Sequence, residues 1–393
     1  MESLNWHINI NECLLALGPE SDGNFSVFYQ KMLYRSDSFG DLLNEENFQK
    51  FTQAITKFLK KNKVKPDIIL TDLHPLYKTT SLGESLSKTY KAKQIRLQHH
   101  ISHVFSAIGD KMINNKNYKL QVFAGGLRNI VGIACDGTGY GTDGKIWGGE
   151  LFKINGRKEK VKSIERIGYL ENQILIGGDL AVKEPARMLI SILNKFLPKD
   201  KACLFVKKYY SKNEFEVLYS QLKQNFNCQE TSSAGRVLDA VSVLLGFCGN
   251  VRKYKHGPAI ALENSSTIPY TDLRPVVTKS EINSSRERNS NFILETTPLF
   301  EYLVKNVKKD KHRLAATAQL YMARGLYEII KKELRVTGYG LRDVFFAGGI
   351  ANNKIIASYL ELKGVYAGKK IPRGDAGVSF GQIIYYLLAN PRN

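Results

Sequence analysis

The histidines mark where this chain can do chemistry. There are seven in 393 residues, and three fall in the run His99-His100-Ile101-Ser102-His103. On a helix, residues four apart lie one turn up the same face, so His99 and His103 can offer two imidazole nitrogens to one ion. Neutral imidazole suits zinc or ferrous iron, and carboxylates complete a harder, more open site. Two histidines alone are under-ligated. Asp136, at the end of an apolar run, and Asp375, in a glycine-rich turn, are the carboxylates best placed to join them. Taken alone, the same pair also reads as two ordinary core or surface histidines.

Other segments have the composition of a phosphate or nucleotide cradle. In Asp136-Gly137-Thr138-Gly139-Tyr140-Gly141-Thr142-Asp143-Gly144, glycines let backbone N–H groups approach phosphate and Thr138 adds a hydroxyl. The same letters also read as a tight hairpin turn. Gly348-Gly349 follows an apolar run, with Asn353 at the start of the next helix, which suits nucleotide contact or close packing alike. Lys183, Glu184 and Arg187 sit at one helix start, and Gly235, Arg236 and Asp239 at another. Such carboxylates can bond ribose hydroxyls and such arginines can hold phosphate, although capped helices explain both segments too. A covalent nucleophile is not expected, because there is no G-x-S-x-G and no cysteine in an activating context.

These residues need elements to hold them. Cys13–Gly18, Phe25–Tyr29, Ile68–Leu70, Ile95–Leu97, Ile130–Cys135 and Val344–Ala347 read as strands, several ending on acidic or glycine residues. Ile130–Cys135 is expected to close on a turn at Asp136–Gly141. The helix after Leu97 carries the histidines, and a last amphipathic helix runs from Gly377 to near Ala389. Strand and helix alternate throughout, which predicts an α/β protein with two lobes around a nucleotide cleft. The expected lobes are residues 1–125 and 126–393, the second with a helical insertion at about 185–340.

Composition narrows the class. Hydrophobic residues are 43% and charged residues 24%, so wholesale disorder is excluded. No apolar run reaches the length of a membrane span, and Met1-Glu2-Ser3-Leu4-Asn5-Trp6 lacks the pattern of a signal peptide. Five scattered cysteines without C-x-x-C exclude a zinc ribbon and suit a reducing compartment, so a cytoplasmic protein is expected. The formal net charge of +20 would attract nucleic acid or acidic partners. Its clusters (Lys57–Lys65, Lys199–Lys212, Lys305–Arg313) have apolar residues interleaved at helical spacing, as solvated helix faces do.

Read in order, the segments resemble the C-terminal, TsaD-like transferase module of HypF-type carbamoyltransferases. The matching marks are Asp72-Leu73-His74-Pro75, Leu97 to His103, Asp136 to Gly144 with Trp147-Gly148-Gly149-Glu150, Gly177-Gly178-Asp179 with Glu184-Pro185-Ala186-Arg187, Thr231 to Arg236, Gly348-Gly349 with Asn353, and Asp375 to Gln382. The resemblance implies the bilobal actin, sugar-kinase and chaperone ATPase (ASKHA) fold. It also implies a divalent iron or zinc ion on His99, His103, Asp136 and Asp375. A nucleotide, ATP or AMP as carbamoyl-adenylate, would lie against Glu184, Gly235, Asp239, Gly348, Gly349 and Asn353. The implied reaction passes a carbamoyl group to the C-terminal cysteine thiolate of a partner protein (HypE-like), en route to the cyanide ligand of NiFe hydrogenase.

The sequence departs from that pattern in places. The acylphosphatase-like, zinc-finger and YrdC-like domains of the family are absent here, so a separate YrdC-like protein is expected to make the adenylate. The family's Lys-Asn-Thr turn stands as Asp22-Gly23-Asn24, its Arg-Phe-His as Thr317-Ala318-Gln319, and its Tyr-Glu-Gly-Gln as Tyr254-Lys255-His256-Gly257-Pro258. Alternative functions are a tRNA threonylcarbamoyl transferase, which the charge would suit, a small-molecule O-carbamoyltransferase, or a non-catalytic module binding nucleotide and a partner. The Trp147–Glu150 block and the long insertion between Arg187 and Gly235 favour the HypF type.

Overall fold

The computed structural model describes residues 2–5, 10–125, 129–157, 160–280, 291–337 and 343–390. Gly126 at the expected lobe boundary, and Met1 and Trp6 of the N-terminal stretch, lie outside the described residues.

The apolar runs lie side by side in two sheets. The first holds β1 (Glu2–Asn5), β2 (Leu14–Ala16), β3 (Ser26–Tyr29), β4 (Met32–Arg35), β5 (Ile68–Asp72) and β6 (Lys93–Leu97), in the order β1-β4-β3-β2-β5-β6. Strands β2, β3 and β4 form an antiparallel meander, and β5 and β6 run parallel beside β2. Parallel neighbours need crossovers, supplied by α1 (Glu45–Lys61) and α2 (Lys78–Tyr90). The helices α3 (His99–Asn114) and α4 (Lys116–Gly125) then lead to the second sheet.

That sheet repeats the arrangement. Strands β7 (Ile130–Tyr140), β8 (Ile146–Arg157) and β9 (Lys160–Leu170) form the meander. A short ribbon of β10 (Gln173–Ile176) and β11 (Cys228–Thr231) joins its β8 side. Between these two strands lie α5 (Asp179–Lys183), α6 (Ala186–Leu193), α7 (Lys199–Val206) and α8 (Lys212–Lys223). After β11 come α9 (Ala234–Leu245), α10 (Gly257–Asn264), the edge strands β12 (Val277–Lys279) and β13 (Phe292–Leu294), α11 (Thr297–Lys305) and the long α12 (Lys311–Thr337). Strand β14 (Asp343–Ala347), α13 (Lys354–Leu362), β15 (Tyr366–Ala367) and α14 (Val378–Ala389) close the chain. Strands β14 and β15 run parallel beside β7, as β5 and β6 do beside β2. One strand order thus occurs twice, the bilobal plan that the resemblance implies.

Helices α3 and α14 cross between the sheets. One apolar cluster joins Leu14, Ala16 and Leu70 of the first sheet to Ile130, Ala134 and Phe345 of the second through Val104, Phe105, Phe380 and Ile384. The crossing is close because position 381 is glycine: a Cβ there would lie 1.9 Å from the Ser102 carbonyl oxygen. The start of α14 is also tied to the first sheet. Gly18 N–H donates to Gln382 Oε1 (3.1 Å), and the Ser379 hydroxyl donates to Asn24 Oδ1 (2.9 Å) and sits 2.8 Å from Ser26 Oγ.

One strand differs from expectation. Strand β7 does not stop at Cys135 but continues past a bulge between Cys135 and Gly139 to Tyr140, paired with Ile146, and the hairpin turn falls at 141–145. The bulge adds unpaired residues to one strand and re-aims their side chains, which is how Asp136 leaves the sheet. Among the described residues no helix is long and apolar enough to cross a membrane. On α1, Lys57, Lys60 and Lys61 face solvent opposite buried Phe51, Ile55 and Leu59, so that cluster is a solvated helix face.

Candidate active site

In open α/β sheets, ligand-binding residues gather beyond the carboxyl ends of parallel strands. Here β5 ends in Asp72, β6 runs into α3 at His99, and β14 runs into Gly348-Gly349. The Gln98 side chain caps α3 by accepting from Ile101 N–H at 2.9 Å, which starts the helix so that His99 and His103 share its inner face. Asp136 arrives on the β7 bulge. Asp375 arrives in the turn before α14, held by the loop that Asp110 organises through the backbone N–H groups of Lys369, Lys370 and Ile371 (2.9, 2.7 and 2.6 Å).

These elements bring four side chains to one point. One ligand atom from each of His99, His103, Asp136 and Asp375 lies within 4.8 Å of all the others. The two Nε2 atoms are 3.1 Å apart. Asp136 Oδ2 is 3.3 and 3.6 Å from them, and Asp375 Oδ1 is 3.5 and 3.4 Å. All four residues are buried.

Asp72 fixes the protonation pattern. Its Oδ2 lies 2.7 Å from His99 Nδ1, and a carboxylate accepts only, so Nδ1 carries a proton and Nε2 is the nitrogen turned to the centre. Burial opposes charge on His99, yet Asp72, Asp136 and Asp375 outweigh it and raise its pKa well above the ordinary value. His103 is raised against burial by Asp136 and Asp375. In turn the two imidazoles hold Asp136 well below the carboxylate range despite its burial. Two buried carboxylates facing two imidazoles call for positive charge at the centre, which protons on the rings supply in the absence of an ion and a bound cation would supply in their place.

A divalent cation meets that requirement. Two imidazole nitrogens and two carboxylate oxygens bound tetrahedrally at about 2.0–2.2 Å to one ion would lie about 3.3–3.6 Å apart, close to the nitrogen–nitrogen and nitrogen–oxygen spacings found. Asp375 Oδ1 is buried with no hydrogen bond of its own, an acceptor left for such an ion. The Asp72–His99 contact is the outer partner that metal-binding histidines use to fix ring orientation.

The predicted nucleotide residues divide into two groups. The first adjoins Asp136. Gly349 N–H donates to Asp136 Oδ1 at 3.1 Å, and Gly348, at φ +93°, has room for no Cβ because the Cys135 carbonyl oxygen would stand 2.2 Å away. Gly235 opens α9 directly on Gly137, where a Cβ would meet the Gly137 Cα at 2.9 Å. Ser233 caps that helix and donates to the Asp136 carbonyl at 3.2 Å. Buried Arg236 pairs with Asp239 at 2.9 Å and donates to the Val182 carbonyl at 3.4 Å, which brings Lys183 alongside. Gly139 packs on the rings of His100 and His99, and Thr138 lies on the bulge.

The second group is engaged within the protein. Glu184 accepts from Arg187 Nε (2.7 Å) and the Tyr210 hydroxyl (3.0 Å). Asn353 caps α13 through Ile356 N–H (3.0 Å) and donates to Gln319 Oε1 at 2.6 Å.

Sequence reasoning left Asp72, Arg252, Lys255 and His256 without roles. Arg252 lies near Arg236, and burial followed by that like charge lowers its pKa to about 10. His256 sits at φ +61°, with its ring against Gly349. Lys255 Nζ bridges Asp22 Oδ2 (2.8 Å) and Asp375 Oδ2 (2.9 Å). Two of the departures from the family pattern, Asp22 and Lys255, therefore meet as one ion pair. Asp72 ends an apolar strand just as Asp136 ends another, and the same reading would have found it.

Comparisons with known proteins bear on the family and the fold. A family model described as the HypF Kae1-like domain matches residues 9–110, and one described as the second subdomain of the Kae1-like domain of carbamoyltransferases matches residues 132–382. The probable carbamoyltransferase HypF of Methanocaldococcus jannaschii is 36% identical over 99% of this chain and 48% of its own length. A carbamoyltransferase HypF homolog of Cupriavidus necator is 27% identical over 87% of this chain and 83% of its own. Among solved structures, full-length HypF in its phosphate- and nucleotide-bound form superposes with a TM-score of 0.80 at 25% identity, over 98% of this chain and 47% of that one. HypF of T. kodakarensis gives 0.79 at 29%, over 98% and 48%. The chain spans about half the length of the M. jannaschii relative and of both structures, and its fold is theirs, α/β and ASKHA-type.

Proposed function

The chain belongs to the HypF carbamoyltransferase family through its Kae1-like domain, and on that premise we propose that it transfers a carbamoyl group from carbamoyl-adenylate to the C-terminal cysteine thiolate of a partner protein in NiFe hydrogenase maturation. The observation that carries the reading is the convergence of His99, His103, Asp136 and Asp375, with Asp72 behind His99. These four residues would hold iron or zinc, which supplies positive charge beside the donor's phosphate and carbonyl oxygens.

The remaining work falls to the chain's own groups. Gly235, Gly348 and Gly349 let α9 and the turn after β14 pack directly on Cys135–Gly137, and Gly137 has only Arg236 Nη2 near its missing Cβ, so a nucleotide can approach the backbone there. Arg236, paired with Asp239, stands beside Gly137. Carbamoyl-adenylate is a mixed anhydride, so the thiolate attacks its carbonyl carbon, a C–S bond forms, and the C–O bond to phosphate breaks with AMP carrying away the electron pair. The incoming thiolate is itself a strong nucleophile, and positioning plus charge stabilisation is what the step needs. The chain's own buried thiols are unsuited to that role: burial pushes Cys13 up to about 12 and raises Cys135 as well.

The test is elemental analysis of the tag-free protein and of its His99→Ala/His103→Ala variant, paired with a transfer assay. Near-stoichiometric iron or zinc in the parent, lost in the variant, together with AMP release that depends on a cysteine-ended acceptor, supports the reading. A folded parent that takes up no metal and releases no AMP overturns it.

A further inference from the structure

Lys255 lies in the connection between α9 and α10, yet its ammonium bonds residues from two distant parts of the chain. It joins Asp22, in the β2–β3 turn of the first sheet, to Asp375, one of the four convergent residues. Asp375 divides its oxygens, Oδ1 facing the two imidazoles and Oδ2 facing Lys255. The ammonium therefore stands one carboxylate away from the centre.

An ammonium has three donors. Among the described residues two are taken, by Asp22 at 2.8 Å and Asp375 at 2.9 Å, and one is left. The Lys255 side chain is 36% exposed and that of Asp22 is 48% exposed. An ion pair so open to water contributes little to stability, so it makes a weak latch but one that rearranges readily. The surroundings explain why a cation is needed there. Asp22 and Asp375 face the ammonium, and Asp136 stands with Asp375 around the two imidazoles, so an anion beside the cluster has carboxylates for neighbours. Arg236 pairs with Asp239 and Arg166 with Glu150, their side chains 3% and 18% exposed, whereas Lys255 keeps a donor free of these partners and is the most exposed of the three.

We propose that Lys255 is a ligand-binding residue of the cleft, whose remaining donor hydrogen-bonds an anionic phosphate oxygen of the nucleotide beside the four-residue cluster. The inference rests on the nucleotide reading given above. It assigns the phosphate's cation to the α9–α10 connection, the element that sequence reasoning left without a role, while Asp22 and Asp375 hold that cation in place before the ligand arrives.

The test compares AMP with adenosine, which lacks the phosphate, by calorimetric titration of the full chain and of Lys255→Gln and Lys255→Arg at matched metal content. The parent should bind AMP more tightly than adenosine. Lys255→Gln should weaken AMP binding by roughly tenfold or more, the scale of one charge-assisted hydrogen bond, and leave adenosine within twofold, while Lys255→Arg keeps most of the AMP affinity. An unchanged AMP affinity in Lys255→Gln overturns the proposal, as does an equal loss for both ligands, which would mark a structural bridge. A parent without preference for AMP also overturns it. A parent that binds neither ligand overturns the nucleotide reading as well, so the two failures are distinguishable.

Discussion

Replacing Asp72 probes the site without touching a proposed ligand. Its Oδ2 accepts from His99 Nδ1 at 2.7 Å, with the two side chains 1% and 2% exposed. A charge-assisted hydrogen bond so short and dry contributes about 1.5–3 kcal/mol. In Asp72→Asn the amide oxygen can still accept from Nδ1–H, so the ring keeps its orientation and loses the charge, a cost near ~1.5 kcal/mol or about tenfold in metal affinity. In Asp72→Ala both are lost, a cost near ~3 kcal/mol or on the order of a hundredfold. The assay is competition for zinc against a chromogenic chelator at constant pH, with circular dichroism to confirm that both variants fold. The graded order, parent tighter than Asn and Asn tighter than Ala, is the expected result. Metal affinities within twofold across all three folded proteins would refute the argument that Asp72 orients His99 for an ion.

Three further outcomes follow from the geometry. His103→Ala should lose bound metal yet keep a parent-like circular dichroism spectrum, because a lone histidine and two carboxylates under-fill the site; stoichiometric metal in that variant would remove His103 from the ligand set. Gly381→Ala puts a Cβ 1.9 Å from the Ser102 carbonyl oxygen, so α3 and α14 must move apart. It should cost about 1–3 kcal/mol or more in denaturant unfolding and weaken metal binding, since α3 carries both histidines; unchanged stability would show that the helices do not cross this closely. Glu150→Ala leaves Arg166, bonded to Glu150 Oε2 at 2.5 Å and stacked 4.2 Å over the Trp147 ring, without its buried partner. A loss of about 3–5 kcal/mol is expected by chemical denaturation, and a loss below 1 kcal/mol would show that the pair is not holding the β8–β9 hairpin.

What the sequence made legible, and what it hid, follows from the range of the interactions. Ile68–Leu70 and Val344–Ala347 were readable as strands because three or four consecutive apolar residues suit a strand covered on both faces. His99 and His103 were readable as a pair because helical spacing is a local property. Asp136 and Asp375 could be nominated by their positions after an apolar strand and in a glycine turn, but only the folded chain sets them 3.3–3.6 Å from the two imidazole nitrogens. The course of β7 was misjudged because Asp136-Gly137-Thr138-Gly139 has turn composition, whereas pairing with Trp147 and Ile146 on β8 carries the strand onward past a bulge. Gly381 looked like a helix residue of no consequence, since the need for a missing Cβ arises only where α14 meets α3. Lys255 was the least legible of all: its partners lie 233 and 120 residues away, and nothing in Tyr254-Lys255-His256 announces them. The four residues that converge as a possible metal site were found by type and spacing. Asp72 could have been nominated as Asp136 was, by its place after an apolar run, but its contact with His99 appears only in the fold; Lys255 was found only by its contacts, because the role proposed for it is a relation to other side chains and not a property of the local sequence.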